Sequence, residues 1–213
     1  MNLPAIPSLL QFSQAAVYRA IKDCAASPGL PALIALDATC GNGHDTLFLA
    51  KSLREAHAGK DHLVISLDVQ QQAMENTRKL LAENLLADNV LLLLQSHEAL
   101  ESILGNMQNN YEAPARLCVG MYNLGYLPGS DKKIKTCKRS TLVSLCAVGE
   151  RLAAGGLLSI HAYGGHPGGL EELEALDDWS SKLEPEAWSV ARYCIHNKRT
   201  RPEVLFLLRK RAA

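Results

Sequence analysis

The apolar positions of this chain follow two periods. Leu9, Leu10, Phe12, Ala16, Val17, Ala20 and Ile21 recur at helical spacing, so residues 7–25 are predicted as an amphipathic helix. Short apolar runs then recur at 33–36, 63–67, 90–94, 115–121 and 157–162, each bounded by turn residues, and these read as strands. The first and third have no polar alternation, which predicts burial on both faces. Between them the period returns to that of a helix: from Asp45 (Leu47, Phe48, Ala50, Leu53), from 71 to about 86, from 98 to 107, and from 136 to 152, where Gly155-Gly156 is expected to stop the turn. An acidic helix at 170–182 follows a glycine-rich loop at 164–169. Two last strands, 188–195 and 204–208, flank a short polar connection and read as a hairpin. Five strand–helix units and a terminal hairpin predict one α/β domain over 1–213, with 1–28 as an N-terminal helical segment. Its sheet is expected to be seven-stranded and mixed, antiparallel at the C-terminal hairpin, with helices on both faces.

The bulk numbers narrow this little. The chain has 213 residues, 47% hydrophobic and 21% charged, enough for one full core. Met1 to Ala20 has neither a basic head nor an unbroken apolar run, and no segment is long enough for a membrane span, so a cytoplasmic protein is expected. Six scattered cysteines without a C-x-x-C indicate neither zinc nor a disulfide framework, and no metal is expected. With 22 basic and 22 acidic side chains the net charge is zero, which argues against nonspecific coating of nucleic acid. Basic residues nevertheless cluster at Lys132, Lys133, Lys135, Lys138 and Arg139, and again at Arg192, Lys198, Arg199, Arg201, Arg209, Lys210 and Arg211. Solvated faces account for much of this, and either cluster suits a folded RNA.

The chemistry concentrates where the first strand meets the first inner helix, in Asp37-Ala38-Thr39-Cys40-Gly41-Asn42-Gly43-His44-Asp45-Thr46. A strand, a glycine turn and a helix N-terminus form the nucleotide corner of an open α/β sheet. The turn glycines are expected to admit a ligand close to the backbone. A dinucleotide fingerprint needs a third glycine where Thr46 stands, and no Gly-Lys-Ser/Thr phosphate loop exists. An acid four positions before Gly-x-Gly suits a ligand with a cationic amino-acid end, S-adenosyl-L-methionine. Asp37, Thr39, Gly41, Asn42, Gly43, Asp45 and Thr46 are the expected cofactor residues of this corner. Ligands in such sheets sit beyond the strands' carboxyl ends. Asp68 is placed there for ribose hydroxyls, Gln70 for the adenine rim, and Ser96-His97 for the base.

The fourth strand runs into Asn123-Leu124-Gly125-Tyr126-Leu127-Pro128-Gly129, the place where amino-methyltransferases carry Asn/Asp-Pro-Pro-Tyr/Phe. An amide oxygen there accepts a hydrogen from a substrate amine, and an aromatic ring stacks on its base. Asn123 and Tyr126 are therefore the expected catalytic residues, Asn123 also touching cofactor. His161, Tyr163 and His166, at and past the fifth strand, are candidates for taking the amine proton, with His166 chosen as catalytic. Tyr126, Pro128, Lys132, Tyr163, His166, Lys198 and Arg199 form the expected substrate surface.

The segments 37–50 and 123–132, together with Asp68-Val69-Gln70, Ser96-His97 and the loop 164–169, resemble the MnmM/YtqB family, whose members were long labelled rRNA methylases. The resemblance spans about 36–208 and is weaker in the helix before Pro28. It implies a class I, Rossmann-like methyltransferase fold. It also implies S-adenosyl-L-methionine-dependent methylation of 5-aminomethyl-(2-thio)uridine at the wobble position of tRNA, with an anticodon stem-loop as partner; the sequence is silent on oligomeric state, and a homodimer is the assembly left open. The competing readings are a methyltransferase of rRNA or another RNA, a nicotinamide-dependent oxidoreductase, and a non-catalytic RNA-binding module.

Overall fold

The computed structural model describes residues 7–108, 116–127, 129, 133–197 and 203–211. Seven strands form one sheet: β1 (Ala32–Asp37), β2 (Asp61–Asp68), β3 (Val90–Leu94), β4 (Leu117–Leu124), β5 (Leu152–Tyr163), β6 (Trp188–Cys194) and β7 (Glu203–Lys210). Their order is β3-β2-β1-β4-β5-β7-β6. The first five are parallel, and β7 runs antiparallel to both β5 and β6. The terminal hairpin thus enters with β7 against β5 and β6 outermost.

The two faces follow from the period-2 alternation of the strands. Ile34 and Leu36 of β1 face a cluster with Leu104 of α4 (Leu100–Gln108), Leu145 and Val148 of α5 (Lys138–Arg151), and Leu173 and Leu176 of α6 (Gly169–Ser181). Leu33 and Ala35 face the opposite cluster, with Val17 and Ile21 of α1 (Leu9–Ala26), Leu49 and Leu53 of α2 (His44–Ala56), and Leu81 of α3 (Gln71–Glu83). The first helix begins at a capping box: Gln11 N–H donates to Ser8 Oγ at 3.2 Å and Ser8 N–H to Gln11 Oε1 at 2.8 Å. Between α5 and α6 the buried carboxylate of Glu172 accepts from Thr141 Oγ1 (2.6 Å) and from Thr136 Oγ1 (2.8 Å). No described helix is long and apolar enough to cross a membrane.

Three expectations are corrected. The run at 90–94 is half-exposed, with Leu91 and Leu94 open to solvent, because β3 is the end strand of the sheet. Gly155-Gly156 does not end a helix: α5 stops at Arg151 and the chain turns extended at Leu152, so both glycines lie inside β5. There the register with β4 shifts, and a Cβ on Gly156 would meet Cys118 O at 2.8 Å, so a bulge needs glycine at that spot. Finally, β4 runs on to Leu124 and carries Asn123 as a strand residue rather than a loop residue, paired with His161 of β5.

Candidate functional site

The carboxyl ends of β1, β2, β4 and β5 open into a cleft of about 1190 Å³. Thr39, Gly41, Asn42, Asp45, Asp68, Gln70, Ser96, His97, Asn123, Tyr126, Tyr163 and His166, all expected at the site, line it. Three expected cofactor residues do not. Asp37, Gly43 and Thr46 lie behind the wall, and each has a packing reason.

Asp37 is fully buried: its Oδ2 accepts from Thr46 Oγ1 at 2.6 Å and its Oδ1 from Thr39 N–H at 3.3 Å. Thr46 in turn shares a 2.7 Å hydrogen bond with Ser66 of β2. Burial, with the nearby charge of Asp45, pushes the Asp37 carboxyl up to about 7. Asp37 therefore braces the turn from behind, and the acid presented to the cleft is Asp45. Gly43 sits at φ +83°, and a Cβ there would lie 2.8 Å from Thr77 Cα of α3. This glycine seats α2 against α3, whereas Gly41, at φ +53°, is the one facing the cleft.

The wall of the cleft is built from mutual supports. Asp68, ending β2, accepts from Gly41 N–H and Gln70 N–H, both at 3.0 Å, one on each carboxylate oxygen. Asn42 Oδ1 accepts from Asn76 Nδ2 at 2.8 Å. Ser96 spends its hydroxyl on its own turn, accepting from Glu98 N–H at 3.1 Å. His97 is buried, and desolvation lowers its pKa, so the ring is neutral. The Ala38 carbonyl, accepting from the ring, works against that shift, and Nε2 has no partner.

Asn123 is held twice by the first glycine corner. Its backbone N–H donates to Thr39 Oγ1 at 2.7 Å, and its Nδ2 donates to Asp45 Oδ2 at 2.5 Å. A carboxylate only accepts, so this contact fixes the amide with its oxygen as the end left for a ligand. Burial raises the pKa of Asp45; the Asn123 hydrogen bond and the nearby His161 and His44 oppose the shift.

Beyond Asn123, Tyr126 is half-exposed and meets His166 edge-on, ring centroids 5.9 Å apart. His166 Nδ1 lies 3.2 Å from Pro167 O, and its Nε2 is shut off from solvent without a partner. The close packing needs Gly169, whose Cβ would come within 2.9 Å of that nitrogen. On the other side, His161 Nε2 is 2.9 Å from Glu203 Oε1, and His161 Nδ1 is 3.3 Å from Tyr163 Oη. Glu203 was not expected at the site. It stands 42 residues from His161 and reaches the cleft only because β7 inserts beside β5. Ser8 and Leu10, at the start of α1, also edge the cleft and were not foreseen.

The expected substrate residues Pro128, Lys132, Lys198 and Arg199 lie outside the described residues. The described part of the C-terminal basic cluster is engaged within the protein. Arg192 pairs with Asp177 at 2.9 Å, Arg209 with Asp23 at 2.7 Å, and Lys210 Nζ donates to Gly149 O at 2.8 Å. These cations hold helices to the sheet. Among the described residues no cluster of three His, Cys, Asp or Glu could hold a metal ion.

Comparison with known proteins gives consistent relatives. The family model described as "Putative rRNA methylase" matches residues 64–209. A tRNA (mnm(5)s(2)U34)-methyltransferase, chloroplastic, of Arabidopsis thaliana is 34% identical over 178 residues, 82% of this chain. The match covers 62% of that relative's length. A crystal structure described as a "putative rRNA-methylase" from Clostridium thermocellum superposes with a TM-score of 0.79 at 29% identity, covering 97% of this chain and all of the other. A "putative methyltransferase" from Streptococcus mutans in complex with SAH follows at 0.75 and 28% identity, covering 97% and 99% of the two chains. The seven-stranded mixed sheet is the sheet of these class I methyltransferase structures.

Proposed function

This chain belongs to the rRNA methylase family and has the class I methyltransferase fold, and from that premise we propose that it is an S-adenosyl-L-methionine-dependent tRNA methyltransferase. Its acceptor is the exocyclic amine of 5-aminomethyl-(2-thio)uridine at the wobble position, giving the 5-methylaminomethyl product. The Arabidopsis relative, named for that nucleoside, supports the choice of acceptor. The observation carrying the reading is the Asn123 amide, locked by Asp45 at the end of β4 with its oxygen left for an amine.

The cleft residues fit the cofactor. Asp68, already braced by two backbone N–H groups, keeps lone pairs for the two ribose hydroxyls. The unpartnered, buried Nε2 of His97 is an acceptor for a polar edge of the adenine, with Gln70 and Ser96 at its rim. Asp45, with Thr39, Gly41 and Asn42, would face the amino-acid end, its carboxylate matching an ammonium. When bound, the cofactor supplies an electrophilic methyl group.

The protein's own work is orientation and proton handling. Asn123 Oδ1 accepts an N–H of the substrate amine and so aims the nitrogen's lone pair across the cleft. Tyr126, buttressed by the edge-on ring of His166, offers a ring for the uracil to stack on. Holding the two reactants in line in this way provides most of the rate enhancement. The half-exposed mouth near Lys135 and Ile134 receives the anticodon stem-loop. The test is methyl transfer from labelled cofactor by the purified protein, on tRNA carrying 5-aminomethyluridine and on ribosomal RNA in parallel. Label in the wobble nucleoside supports the reading; label confined to ribosomal RNA overturns the acceptor, and neither refutes the transferase.

A further inference from the structure

An alkylammonium holds its proton at neutral pH, and a nitrogen without a lone pair accepts no methyl group. An amine acceptor therefore requires a place for one proton. Four histidines line the cleft: His44, His97, His161 and His166. Among the described residues only His161 is hydrogen-bonded to a carboxylate, Glu203, at 2.9 Å. Because that carboxylate accepts, His161 Nε2 carries the ring hydrogen, and Nδ1 of the neutral ring is an acceptor. The phenol of Tyr163, 3.3 Å from Nδ1, then donates to it, and the two rings stack with centroids 4.6 Å apart. This direction leaves the oxygen of Tyr163 with lone pairs for a donor arriving from the cleft. His161 is 4% exposed and Tyr163 39%, so the chain of groups runs from the interior to the open cleft. Asn123 and His161 are register partners of β4 and β5, which places the amide that grips the amine beside this chain.

We propose that Tyr163 is the catalytic proton acceptor for the substrate ammonium, with His161 and Glu203 as positioning residues that act through it; this relay rests on the amine-acceptor reading of the site. One N–H bond of the ammonium breaks and an O–H bond forms at Tyr163 Oη. The phenol's original O–H bond breaks as an N–H bond forms at His161 Nδ1. The resulting imidazolium is held by Glu203, and the substrate nitrogen keeps the electron pair. His166, whose hydrogen-bond neighbour is a backbone carbonyl, has no such carboxylate to hold the charge. Among the described residues, those facing His161 include Glu203 from β7, Tyr163 from β5, and Asp45 from α2, with His44 near Asp45. Both carboxylates favour a proton on the ring. Burial, then Glu203 and Asp45, push the Tyr163 hydroxyl up to about 12, so the two proton movements are concerted and no free phenolate accumulates.

Single-turnover methyl transfer to tRNA carrying 5-aminomethyluridine, measured from neutral to alkaline pH with saturating cofactor, tests this. Tyr163→Phe keeps the ring stack and removes the shuttle oxygen. It is expected to slow transfer roughly 10²-fold at neutral pH, with the defect closing as rising pH strips the amine of its proton unaided. His161→Gln and Glu203→Gln should show the same pH-dependent defect, while S-adenosylhomocysteine affinity, read by calorimetry, stays within a few-fold in all three. A Tyr163→Phe rate equal to the parent, or a defect of the same size at every pH, overturns the relay. A parent that transfers nothing to this tRNA at any pH overturns the amine-acceptor reading itself, and the relay with it.

Discussion

Replacing Asp37 by asparagine isolates the energetic consequence of burying an acid behind the glycine turn. The carboxyl moves from an ordinary 3.8 to about 7 in the fold, chiefly through desolvation and secondarily through Asp45. A folded-state pKa above the unfolded one means that the native protein binds the extra proton. That contribution to stability is fully present below about pH 4 and is lost as pH rises through about 7. That difference between the two states corresponds to up to about 4 kcal/mol at neutral to alkaline pH. Asparagine fits the same space. Its oxygen can accept from Thr39 N–H, and its amide can donate to Thr46 Oγ1, whose hydroxyl turns to donate to Ser66 Oγ. The neighbouring Cys40 sulfur is then within reach of the Ser66 hydrogen. Urea unfolding of parent and D37N at a series of pH values reads the difference directly. D37N should gain several kcal/mol relative to the parent between about pH 4 and pH 8, while the parent's own curve sags over that interval. A difference that is flat with pH, or one that falls as pH rises, refutes the assignment of Asp37 as a buried, partly protonated brace.

The two turn glycines should respond differently to alanine. Gly43→Ala combines a left-handed backbone with a Cβ only 2.8 Å from Thr77 Cα, whereas Gly41→Ala meets its neighbour at 3.5 Å. Thermal unfolding should show a loss well above about 1–2 kcal/mol for the first and about that value for the second; equal losses would refute the role given to Thr77. Asp68→Ala removes an acceptor expected to hold two ribose hydroxyls, worth about 2–3 kcal/mol together. Calorimetry should then find S-adenosylhomocysteine bound some tens-fold more weakly, and undiminished affinity would relocate the ribose. Glu172→Ala strands the hydroxyls of Thr141 and Thr136 between α5 and α6. Chemical denaturation should register a loss of about 2–4 kcal/mol with cofactor binding little changed, and a neutral effect would contradict the buried network.

Several site residues were legible because their positions repeat a local rule. A polar residue at or just past the carboxyl end of an apolar strand in an open α/β sheet faces the ligand side, and Asp68, Gln70, His97 and Asn123 obey it. The rule fails where a side chain's direction depends on its neighbours. Asp37 ends β1 just as Asp68 ends β2, yet it points behind the turn because Thr46 and Ser66 close around it. Gly43 shares its motif with Gly41, but α3 rather than the cleft occupies the space that its missing Cβ leaves. The C-terminal cations looked like an RNA surface in one dimension. Folding directs three of the described ones, Arg192, Arg209 and Lys210, to Asp177, Asp23 and the carbonyls ending α5, contacts among residues as much as 186 positions apart.

The amino-acid order alone determined the alternation of strand and helix, the mixed sheet with its closing hairpin, and the corner where a nucleotide-bearing ligand would sit. These are near-neighbour properties, written in hydrophobic period and in where glycine interrupts it. Only the tertiary arrangement decided which of two acids faces the cleft, which way the Asn123 amide is turned, and that Glu203 supports His161. Each of those depends on groups far apart in sequence meeting at hydrogen-bonding distance. Period alone does not fix such meetings, because it gives the spacing of side chains along a strand but not the register against its neighbours.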